Sequence, residues 1–430
     1  MKKIKYLLSV IILMLLVLVG CAQNEEKSSD KTQIDFLIGK NEIVKQLDSA
    51  IVDYNKSQDE YEVKMVHLGS ANFNEKMATL YSSGNAPTLI NMGTGVEMMQ
   101  WKDKLTDLSD LSFIDKIDPE FLRTSTIDEK LYGVPFTLEA YGYIYNKDVL
   151  DEAYSGNFDA KSIKTRDDLE DMFKKIEGIG KKAIEISPMD WSLGMHFTNV
   201  LFANQGETTE ERQAFLNDLA DEKIELKDNK VYQDWLATFD LMKKYNSAKK
   251  SPLATEYDTT VLNMADGEIG AWFMGNWVIP QLEEANPDGN YGFLPVPISN
   301  DESFPGNSKL SVGVPHTLAV DRESSSEEQI AGAKDFIEWL YTTEQGQDYY
   351  VNQFNFIPIS TDLITLKPAD SLSLDIMDFS EDKETLEWMN AYYPIDATNK
   401  MGVSIQKYLS DEITADEFTA ELENYWATSK

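Results

Sequence analysis

Beyond its N-terminal segment, the chain opens with alternating strand-like and helix-like hydrophobic patterns. Residues 33–38 alternate apolar and polar positions as a half-buried strand does, whereas residues 42–55 place apolar positions three and four apart. The two patterns recur at residues 62–67 and 72–83, and residues 88–92 form a short apolar run. This β-α-β-α-β order predicts a parallel sheet covered by helices.

Helical periodicity dominates the remainder of the chain. Residues 166–178 and 231–245 carry the apolar stripe of an amphipathic helix, and the short runs 183–186 and 269–273 have the character of strands. From residue 327 onward, helical spacing holds almost throughout. These patterns predict an α/β protein with a helical C-terminal region. Because about 400 residues exceed what one hydrophobic core usually sustains, two lobes are expected.

The N-terminal segment has the layout of an export signal. Lys2, Lys3 and Lys5 precede an apolar run at residues 7–19, and Cys21, the only cysteine of the chain, follows closely. The run ends in the sequence LVGC, which resembles a bacterial lipobox. In a lipobox the cysteine accepts a lipid and becomes the first residue of the mature protein.

This layout predicts a signal peptide at residues 1–20, then lipidated Cys21 and a flexible polar tether at residues 21–31. The lipid would be the only attachment to the membrane. An ordinary cleavable signal peptide and an uncleaved anchor helix remain as alternatives. The apolar run is short for a membrane span, which needs about 20 residues. A single cysteine excludes disulfides within the chain and thiolate metal sites.

The charge balance restricts the partners of the protein. Lys and Arg number 39 against 74 Asp and Glu, which gives a net charge of −35. Nucleic acid is excluded because binding it requires positive charge to neutralise phosphates, and anionic ligands are disfavoured. The chain is 42% hydrophobic, with 8 Trp, 20 Tyr and 19 Phe, far too apolar for a disordered protein. The acidic residues are expected to cover solvated faces around a large core.

The chain carries no recognisable catalytic or cofactor motif. Its histidines, His67, His196 and His316, lie more than a hundred residues apart and lack the spacing of metal ligands. It also lacks a GxSxG elbow, a P-loop, a complete dinucleotide loop and a calcium loop. We therefore predict no enzyme, no cofactor and no metal site. A glycosidase dyad can be neither identified nor excluded, because 74 carboxylates guarantee chance pairs.

Aromatic residues occur at the ends of predicted elements, beside Gly, Asn and Pro. Residues 266–280 run a strand into a Gly-Asn turn and open a helix at Trp277, and residues 187–196 repeat this layout with Trp191. Residues at the carboxyl edge of a strand face the ligand crevice of an α/β sheet. Both tryptophans are therefore candidates for ligand contacts, with packing in a core as the alternative for each.

Several stretches, in order and spacing, resemble the sequence signatures of one protein family. They are residues 83–88 (SGNAPT), 129–150 (EKLYGVPFTLEAYGYIYNKDVL), 264–277 (MADGEIGAWFMGNW), 290–297 (NYGFLPVP), 343–347 (TEQGQ) and 355–358 (NFIP). The family is the extracellular solute-binding proteins of ABC importers, family 1, which includes maltodextrin-binding protein. The resemblance extends over essentially the whole mature chain.

The resemblance implies a type II periplasmic-binding-protein-like fold, in which two α/β lobes are joined by three crossing strands and the ligand lies in the cleft between them. The N-lobe would comprise residues 32–140 plus 290–318, and the C-lobe residues 141–289 plus 319–430. The protein would be a monomeric, extracytoplasmic lipoprotein of the bacterial cell membrane. It would deliver a carbohydrate, most often an oligosaccharide, to the permease subunits of an ABC transporter by hinge closure.

The resemblance also assigns polar candidates for ligand binding. Lys40, Asn41 and Glu42 follow the first strand, where relatives place polar side chains against sugar hydroxyls. Asn91 ends the third strand, where many relatives have an aromatic or acidic residue, so a maltodextrin-like site is put in doubt. Glu139 falls on the ligand-facing acidic position at the hinge. Such side chains suit the hydroxyl rim of a sugar.

Aromatic platforms are the second set of candidates, since a pyranose has apolar C–H faces. Trp277, after Asn276 of the turn, falls on the stacking tryptophan of the family. Asp190 and Trp191 lie near another contact, in an uncertain register. Tyr143 is either a further platform or a strand residue buried at the hinge.

Two other classes of function stay open at this stage. A surface glycoside hydrolase would need a carboxylate pair flanking the cleft. An adhesin or sensor lipoprotein would show an exposed apolar patch outside the cleft. The sequence specifies neither the linkage nor the length of the ligand.

Overall fold

The computed structural model describes residues 31–69 and 71–429, and most of its strands lie in two sheets. The predicted signal peptide, the lipidated Cys21 and the tether up to residue 30 lie outside the described residues. Within the described residues, no helix has both the length and the apolar character needed to cross a bilayer.

The strands of the described residues are short to medium in length. In chain order they are β1 (Thr32–Ile38), β2 (Tyr61–His67), β3 (Leu89–Gly93), β4 (Thr126–Ile127), β5 (Lys130–Leu131), β6 (Val134–Pro135), β7 (Glu139–Asn146), β8 (Lys182–Ile186), β9 (Ile269–Gly275), β10 (Tyr291–Leu294), β11 (Leu310–Gly313), β12 (His316–Val320) and β13 (Thr385–Leu386).

The first sheet has the order β2-β1-β3-β12-β6, and the second has the order β13-β11-β7-β9-β8, with β10 also paired to β7. We call the halves built on them the N-lobe and the C-lobe. In the N-lobe, β1 is parallel to β2 and β3, and β12 runs antiparallel to β3. In the C-lobe, β7 runs antiparallel to β9, β10 and β11. The short strands β4 and β5 form a separate hairpin.

Helices cover both sheets. In chain order the α-helices of the described residues are α1 (Val44–Ser57), α2 (Phe73–Ser82), α3 (Val96–Trp101), α4 (Pro119–Leu122), α5 (Lys147–Ala153), α6 (Arg166–Gly178), α7 (Thr198–Ala203), α8 (Thr209–Ala220), α9 (Lys230–Tyr245), α10 (Tyr257–Ala265), α11 (Ile279–Ala285), α12 (Glu327–Thr342), α13 (Glu344–Asp348), α14 (Ser371–Glu381), α15 (Ala397–Leu409) and α16 (Ala415–Thr428).

The predicted N-terminal β-α-β-α-β order is confirmed. Helix α1 buries Leu47, Ile51 and Tyr54 on one stripe, which is the apolar face that the sequence spacing indicates. Helix α2 begins after Asn72, whose side chain accepts a hydrogen bond from the backbone N–H of Glu75. Local sequence signals therefore suffice to form these elements.

The pairing of strands corrects the expected lobe boundaries after residue 290. β10 and β11 were expected in the N-lobe, but they pair with β7 in the C-lobe, and of the predicted 290–318 segment only β12 joins the first sheet. The reason is that β7 is buried along its whole length and needs hydrogen-bonding neighbours on both edges. β9 supplies one edge, and β10 and β11 supply the other.

Helix α12, which was expected in the C-lobe, packs on the N-lobe sheet. Its Phe336 lies edge-on to Phe36 of β1 at 6.0 Å and to Tyr54 of α1 at 5.0 Å between ring centroids. Its Gln329 donates a side-chain hydrogen bond to the carbonyl of Gln33 at 3.1 Å. The apolar stripe of α12 is thus buried against β1, a contact between segments about 300 residues apart that periodicity alone does not indicate.

The chain passes between the lobes in three places. Residues 136–138 connect β6 to β7, residues 314–315 connect β11 to β12, and residues 354–370 lead from the N-lobe helices to α14. The first and third crossings touch, because Leu138 and Ile357 form an isolated antiparallel bridge. This arrangement places the start of β7 and the ends of β1 and β3 around one cleft.

Candidate functional site

A cleft of about 740 Å³ lies between the lobes, next to the crossings. One side, which we call the polar wall, consists of Lys40, Glu42, Asn91, Glu97 and His316 from the N-lobe. The other side, which we call the aromatic wall, consists of Trp191, His196, Trp277, Trp388 and Tyr393 from the C-lobe. Glu139, the first residue of β7, lies at the crossing between them.

Lys40 organises the polar wall. Its ammonium Nζ lies 2.5 Å from a carboxylate oxygen of Glu42 and 2.5 Å from one of Glu139. It also lies 5.5 Å from the ring centroid of Phe356, at the third crossing. Lys40 is only 5% exposed. This buried ion pair joins the loop after β1 to the start of β7, 99 residues later.

The charges of this group depend on one another. Burial opposes the charged form of Lys40, but the two carboxylates outweigh it and raise the pKa of Lys40 above its ordinary value. Although desolvation acts against it, the ammonium holds the pKa of Glu42 below its usual range. Burial, only partly offset by Lys40, raises the pKa of Glu139. Lys40 therefore remains an ammonium at neutral pH.

Two further polar groups complete this wall. Asn91, at 2% exposure, accepts a hydrogen bond through Oδ1 from the backbone N–H of Gly39 at 3.3 Å. Glu97 of α3 accepts one from the backbone N–H of Gly93 at 2.7 Å, and burial raises its pKa. Both side chains are thus fixed by backbone N–H groups, of the loop after β1 and of the end of β3, and Asn91 Nδ2 has no hydrogen-bond partner within the described residues.

The aromatic wall is built around His196. Its ring stacks on Tyr141 at 4.3 Å between centroids and lies 5.1 Å from Trp277, 5.5 Å from Trp191 and 5.6 Å from Trp388. Desolvation lowers the pKa of His196 to about 3. At neutral pH His196 is therefore an uncharged flat ring within an aromatic cluster.

Local backbone features orient the side chains of Trp191 and Trp277, the two tryptophans predicted to contact a ligand. Trp277 follows β9 and lies across Gly275, where an added Cβ would be 2.0 Å from the indole ring. Only glycine permits this close approach. Trp191 begins a π-helical turn, Trp191–Phe197, whose first backbone N–H donates to the carboxylate of Asp190 at 2.8 Å. Both rings are partly buried and line the cleft.

The segment after β13 contributes residues that the sequence analysis did not single out. Trp388 is 6% exposed and packs against Gly313, where an added Cβ would be 2.4 Å from the ring. Asn199 fixes this segment by donating to the carbonyl of Glu387 at 3.1 Å and accepting from the N–H of Met389 at 2.6 Å. The sequence does contain a pattern that could have identified this segment. Residues 388–394 (WMNAYYP) combine aromatic residues with Asn and Pro, as the stretch around Trp277 does.

The lobes also touch beside the cleft. Gly95, at a positive φ of 60°, lies so close to the carbonyl oxygen of Ala391 that a Cβ would be 1.9 Å from it. The Arg123 guanidinium of the N-lobe donates a hydrogen bond to the Thr209 hydroxyl and lies 3.8 Å from the Glu387 carboxylate, both in the C-lobe. The two walls therefore face one another across one cleft, with contacts between the lobes at its edge.

The structure brings most of the predicted ligand residues together. Those that line the cleft are Lys40, Asn41, Glu42, Asn91, Glu139, Trp191 and Trp277. Asn276 instead accepts a hydrogen bond from the backbone N–H of Ala140 at 2.9 Å and is 4% exposed. It fixes the turn before Trp277, as Asp190 fixes the turn at Trp191.

Tyr143 requires a correction. It is fully buried and packs edge-on against Phe173 of α6 at 6.3 Å and Phe273 of β9 at 6.0 Å. Because these contacts fill the C-lobe core, its side chain is not available to a ligand in the cleft. Within the described residues, no group of His, Cys, Asp and Glu side chains is arranged to hold a metal ion.

The sequence matches a known family and curated relatives. The profile described as bacterial extracellular solute-binding protein matches residues 49–373. The multiple sugar-binding protein of Streptococcus mutans is 21% identical over 358 residues, 80% of this chain and 80% of that protein. The arabinooligosaccharide-binding protein of Halalkalibacterium halodurans is 23% identical over 337 residues, 76% of this chain and 71% of that protein.

Solved structures share the fold. RafE in complex with raffinose superposes with a TM-score of 0.75 at 21% identity, over 93% of this chain and 100% of that one. Apo RafE from Streptococcus pneumoniae gives a TM-score of 0.75 at 20% identity, over 94% and 99%. A Bacillus licheniformis sugar transporter in complex with stachyose gives 0.72 at 18% identity, over 93% and 100%.

Proposed function

The chain belongs to the bacterial extracellular solute-binding proteins, and we propose that its cleft captures an uncharged carbohydrate of two or more sugar units for import. The lobes close on the sugar, and the closed protein delivers it to the permease subunits of an ABC transporter. Lys40, Asn41, Glu42, Asn91, Glu139, Trp191 and Trp277 are the proposed ligand contacts.

The observation that carries this proposal is that an aromatic wall faces a polar wall across one cleft. A pyranose ring presents apolar C–H faces and a rim of hydroxyls. Flat indole rings such as Trp277 and Trp191 cover the faces, while carboxylate and amide groups such as Glu139 and Asn91 bind the rim. Neither wall alone matches both parts of a sugar.

Unpartnered polar atoms at the cleft give independent support. Asn91 Nδ2, His316 Nδ1, Trp388 Nε1 and Asn390 Oδ1 are buried atoms of residues that line the cleft, and they have no hydrogen-bond partner within the described residues. Buried polar atoms in native proteins are nearly always paired. Because these atoms lie beneath the cleft surface, a ligand rich in hydroxyls, which both donate and accept, would pair with them once the side chains of the lining shift.

The relatives favour the same class of ligand. Two curated relatives are named for multiple sugars and for arabinooligosaccharides. Two solved structures of the same fold are complexes with raffinose and with stachyose. These ligands are uncharged oligosaccharides, as the acidic balance of this chain also favours.

A thermal-shift and calorimetric screen of the purified full-length protein tests the proposal. The panel contains raffinose, stachyose, arabinooligosaccharides, chitin oligosaccharides and maltooligosaccharides, with amino acids and peptides as the contrasting class. A saccharide that binds the native state raises the melting temperature by mass action. Stabilisation by amino acids or peptides and not by any saccharide would contradict the proposal. Release of shorter sugars during incubation would favour the hydrolase alternative.

The lipid anchor is a separate part of the proposal. We expect Cys21 to carry a lipid that holds the protein on the outer face of the cell membrane. A Cys21→Ser variant should then lose incorporation of a labelled fatty acid and keep its signal peptide, as mass spectrometry of the purified chain would show. Normal lipid labelling of this variant would contradict the anchor.

A further inference from the structure

One cation and three carboxyl groups line the cleft among the described residues. The cation is Lys40, and the carboxyl groups are those of Glu42, Glu97 and Glu139. A cleft that selects acidic ligands needs a positive group free to pair with them. The availability of Lys40 therefore decides which charge class of ligand the cleft accepts.

Contacts within the protein occupy Lys40 on three sides. Glu42 and Glu139 each place a carboxylate oxygen 2.5 Å from its Nζ, and the ring of Phe356 lies 5.5 Å away. The side chain of Lys40 is 4% exposed and that of Glu139 is 9% exposed. Two of the three N–H donors of the ammonium are taken, so at most one is left for a ligand hydroxyl, and its positive charge is matched by carboxylates.

We propose that the Glu42–Lys40–Glu139 group determines specificity, by neutralising Lys40, the one cation that the described residues contribute to the cleft lining, so that uncharged saccharides bind and acidic ones are rejected. Acidic saccharides here means those with a uronate carboxylate or a phosphate. This inference rests on the proposed function, because it assigns a charge class to the ligand of the same cleft.

The surroundings of the group would make an acidic ligand unfavourable. A carboxylate ligand would meet Glu42 and Glu139 beside Lys40, and Glu97 on the same wall. Like charges repel strongly where water is excluded, and this kind of repulsion is how binding sites reject competitors. Burial raises the pKa of both Glu97 and Glu139, so the cleft does not stabilise even its own negative charges fully.

Substituting Glu42 is the most direct way to free the Lys40 ammonium from one of its two carboxylate partners. The Glu42 side chain is 33% exposed and belongs to a single 3-10 turn, Asn41–Ile43, whereas Glu139 is buried at a crossing. Glu42→Gln keeps the shape but removes one negative charge. Lys40 then has a single carboxylate partner, and the lining holds two carboxyl groups against one ammonium. Acidic saccharides should gain affinity relative to uncharged ones.

Glu62 provides a matched control. It also pairs with a lysine two positions away, since its carboxylate lies 3.1 Å from Lys64 Nζ, and its side chain is 34% exposed. It lies on β2 and does not line the cleft. Glu62→Gln removes the same charge from the molecule while leaving the cleft unchanged.

The experiment measures affinities for matched pairs of saccharides in the full-length wild type, Glu42→Gln and Glu62→Gln. The pairs are galactobiose with digalacturonate, cellobiose with cellobiuronate, and raffinose with raffinose oxidised to a carboxylate at C6 of its galactose. We expect the wild type to prefer the uncharged member of each pair it binds. Glu42→Gln should reduce that preference by about tenfold, the scale of one charge interaction at a partly shielded site, and Glu62→Gln should not change it.

The possible results distinguish failure of this inference from failure of the proposed function. Equal or tighter binding of the acidic member by the wild type overturns the inference, as does an unchanged preference in a folded Glu42→Gln variant. If Glu42→Gln does not fold, Glu139→Gln is measured in the same way and must reduce the preference for the uncharged saccharide over the acidic one. If the wild type binds no saccharide of either kind, the proposed function itself fails. If uncharged sugars bind and Glu42→Gln leaves the preference for them over acidic sugars unchanged, this inference fails while the proposed function stands.

Discussion

The two walls of the cleft are built on different physical principles. The polar wall depends on an ion-pair group centred on Lys40 and on side chains fixed by loop backbone, as Asn91 is by Gly39. The aromatic wall depends on rings in contact, since His196, Trp191 and Trp277 each contact the other two. Ion pairs and hydrogen bonds are directional and discriminate between ligands, whereas aromatic faces provide contact area that tolerates different hydroxyl patterns.

The walls also differ in charge. The polar wall carries formal charges that stay in place at neutral pH because Lys40 and Glu42 stabilise each other. The aromatic wall is uncharged, since desolvation lowers the pKa of His196 to about 3. We therefore expect changes in the polar wall to alter stability and selectivity, and changes in the aromatic wall to alter affinity for every sugar.

The largest effect is expected from Lys40→Met, which removes the centre of the polar wall. It leaves the buried carboxylate of Glu139 without its partner, and breaking a buried pair in this way costs about 3 to 5 kcal/mol of unfolding free energy. Urea denaturation measures the loss. Lys64→Met, which breaks the exposed pair with Glu62, is the control and should cost about 1 kcal/mol or less. Equal losses in the two variants would show that the Lys40 group is not a structural centre.

Trp277→Ala tests the aromatic wall. Removing a buried aromatic contact should cost about 2 kcal/mol or more of binding free energy, or roughly thirtyfold in affinity, for each sugar that binds. Calorimetry measures this after the fold has been checked. Trp101→Ala is the control, since Trp101 packs on Tyr81 at 5.5 Å and does not line the cleft. Wild-type affinity in a folded Trp277→Ala variant would refute the platform role.

Arg123→Ala tests whether the walls need to be held against each other. Arg123 of the N-lobe contacts Thr209 and Glu387 of the C-lobe. Because its side chain is 45% exposed, the pair with Glu387 is worth about 1 kcal/mol or less, so affinity should fall by a factor of about five or less. Small-angle scattering should show a smaller radius of gyration with sugar than without it in the wild type, and a smaller decrease in the variant.

The smallest effect on sugar binding is expected from His196→Phe, because a flat uncharged ring replaces another. Its clearest consequence concerns pH. The pKa of His196 is about 3 in the folded protein, below the ordinary value of 6.5, so the unfolded chain binds more protons as the pH falls from about 6.5 towards 3. Stability is therefore lost over this range, and the variant should lose less than the wild type.

The control for this measurement is His67→Phe, since His67 is exposed at the end of β2. Unfolding free energies at pH 7 and pH 5 give the slope for each protein. If His196→Phe and His67→Phe change the slope equally, the buried ring of His196 is not the source of the pH dependence.

The comparison of the walls also shows which residues of the site could be predicted from the sequence. Trp277 and Trp191 were identified because each follows a strand-like run at a turn, a local arrangement. Lys40 and Glu139 were identified only through resemblance to a family. Their pairing across 99 residues carries no local signal. Trp388 was missed because it belongs to the stretch after residue 327, which was predicted to be almost wholly helical.

The sequence alone determined the elements of the N-lobe and the family resemblance, because periodicity and motifs depend on neighbours within a few residues. Tertiary structure decided that Tyr143 packs in the C-lobe core, that β10 and β11 pair with β7, and that α12 covers β1. It also decided which polar atoms meet at the cleft. Strand pairing and burial depend on segments far apart in the chain, and local patterns cannot specify which of several apolar surfaces will meet.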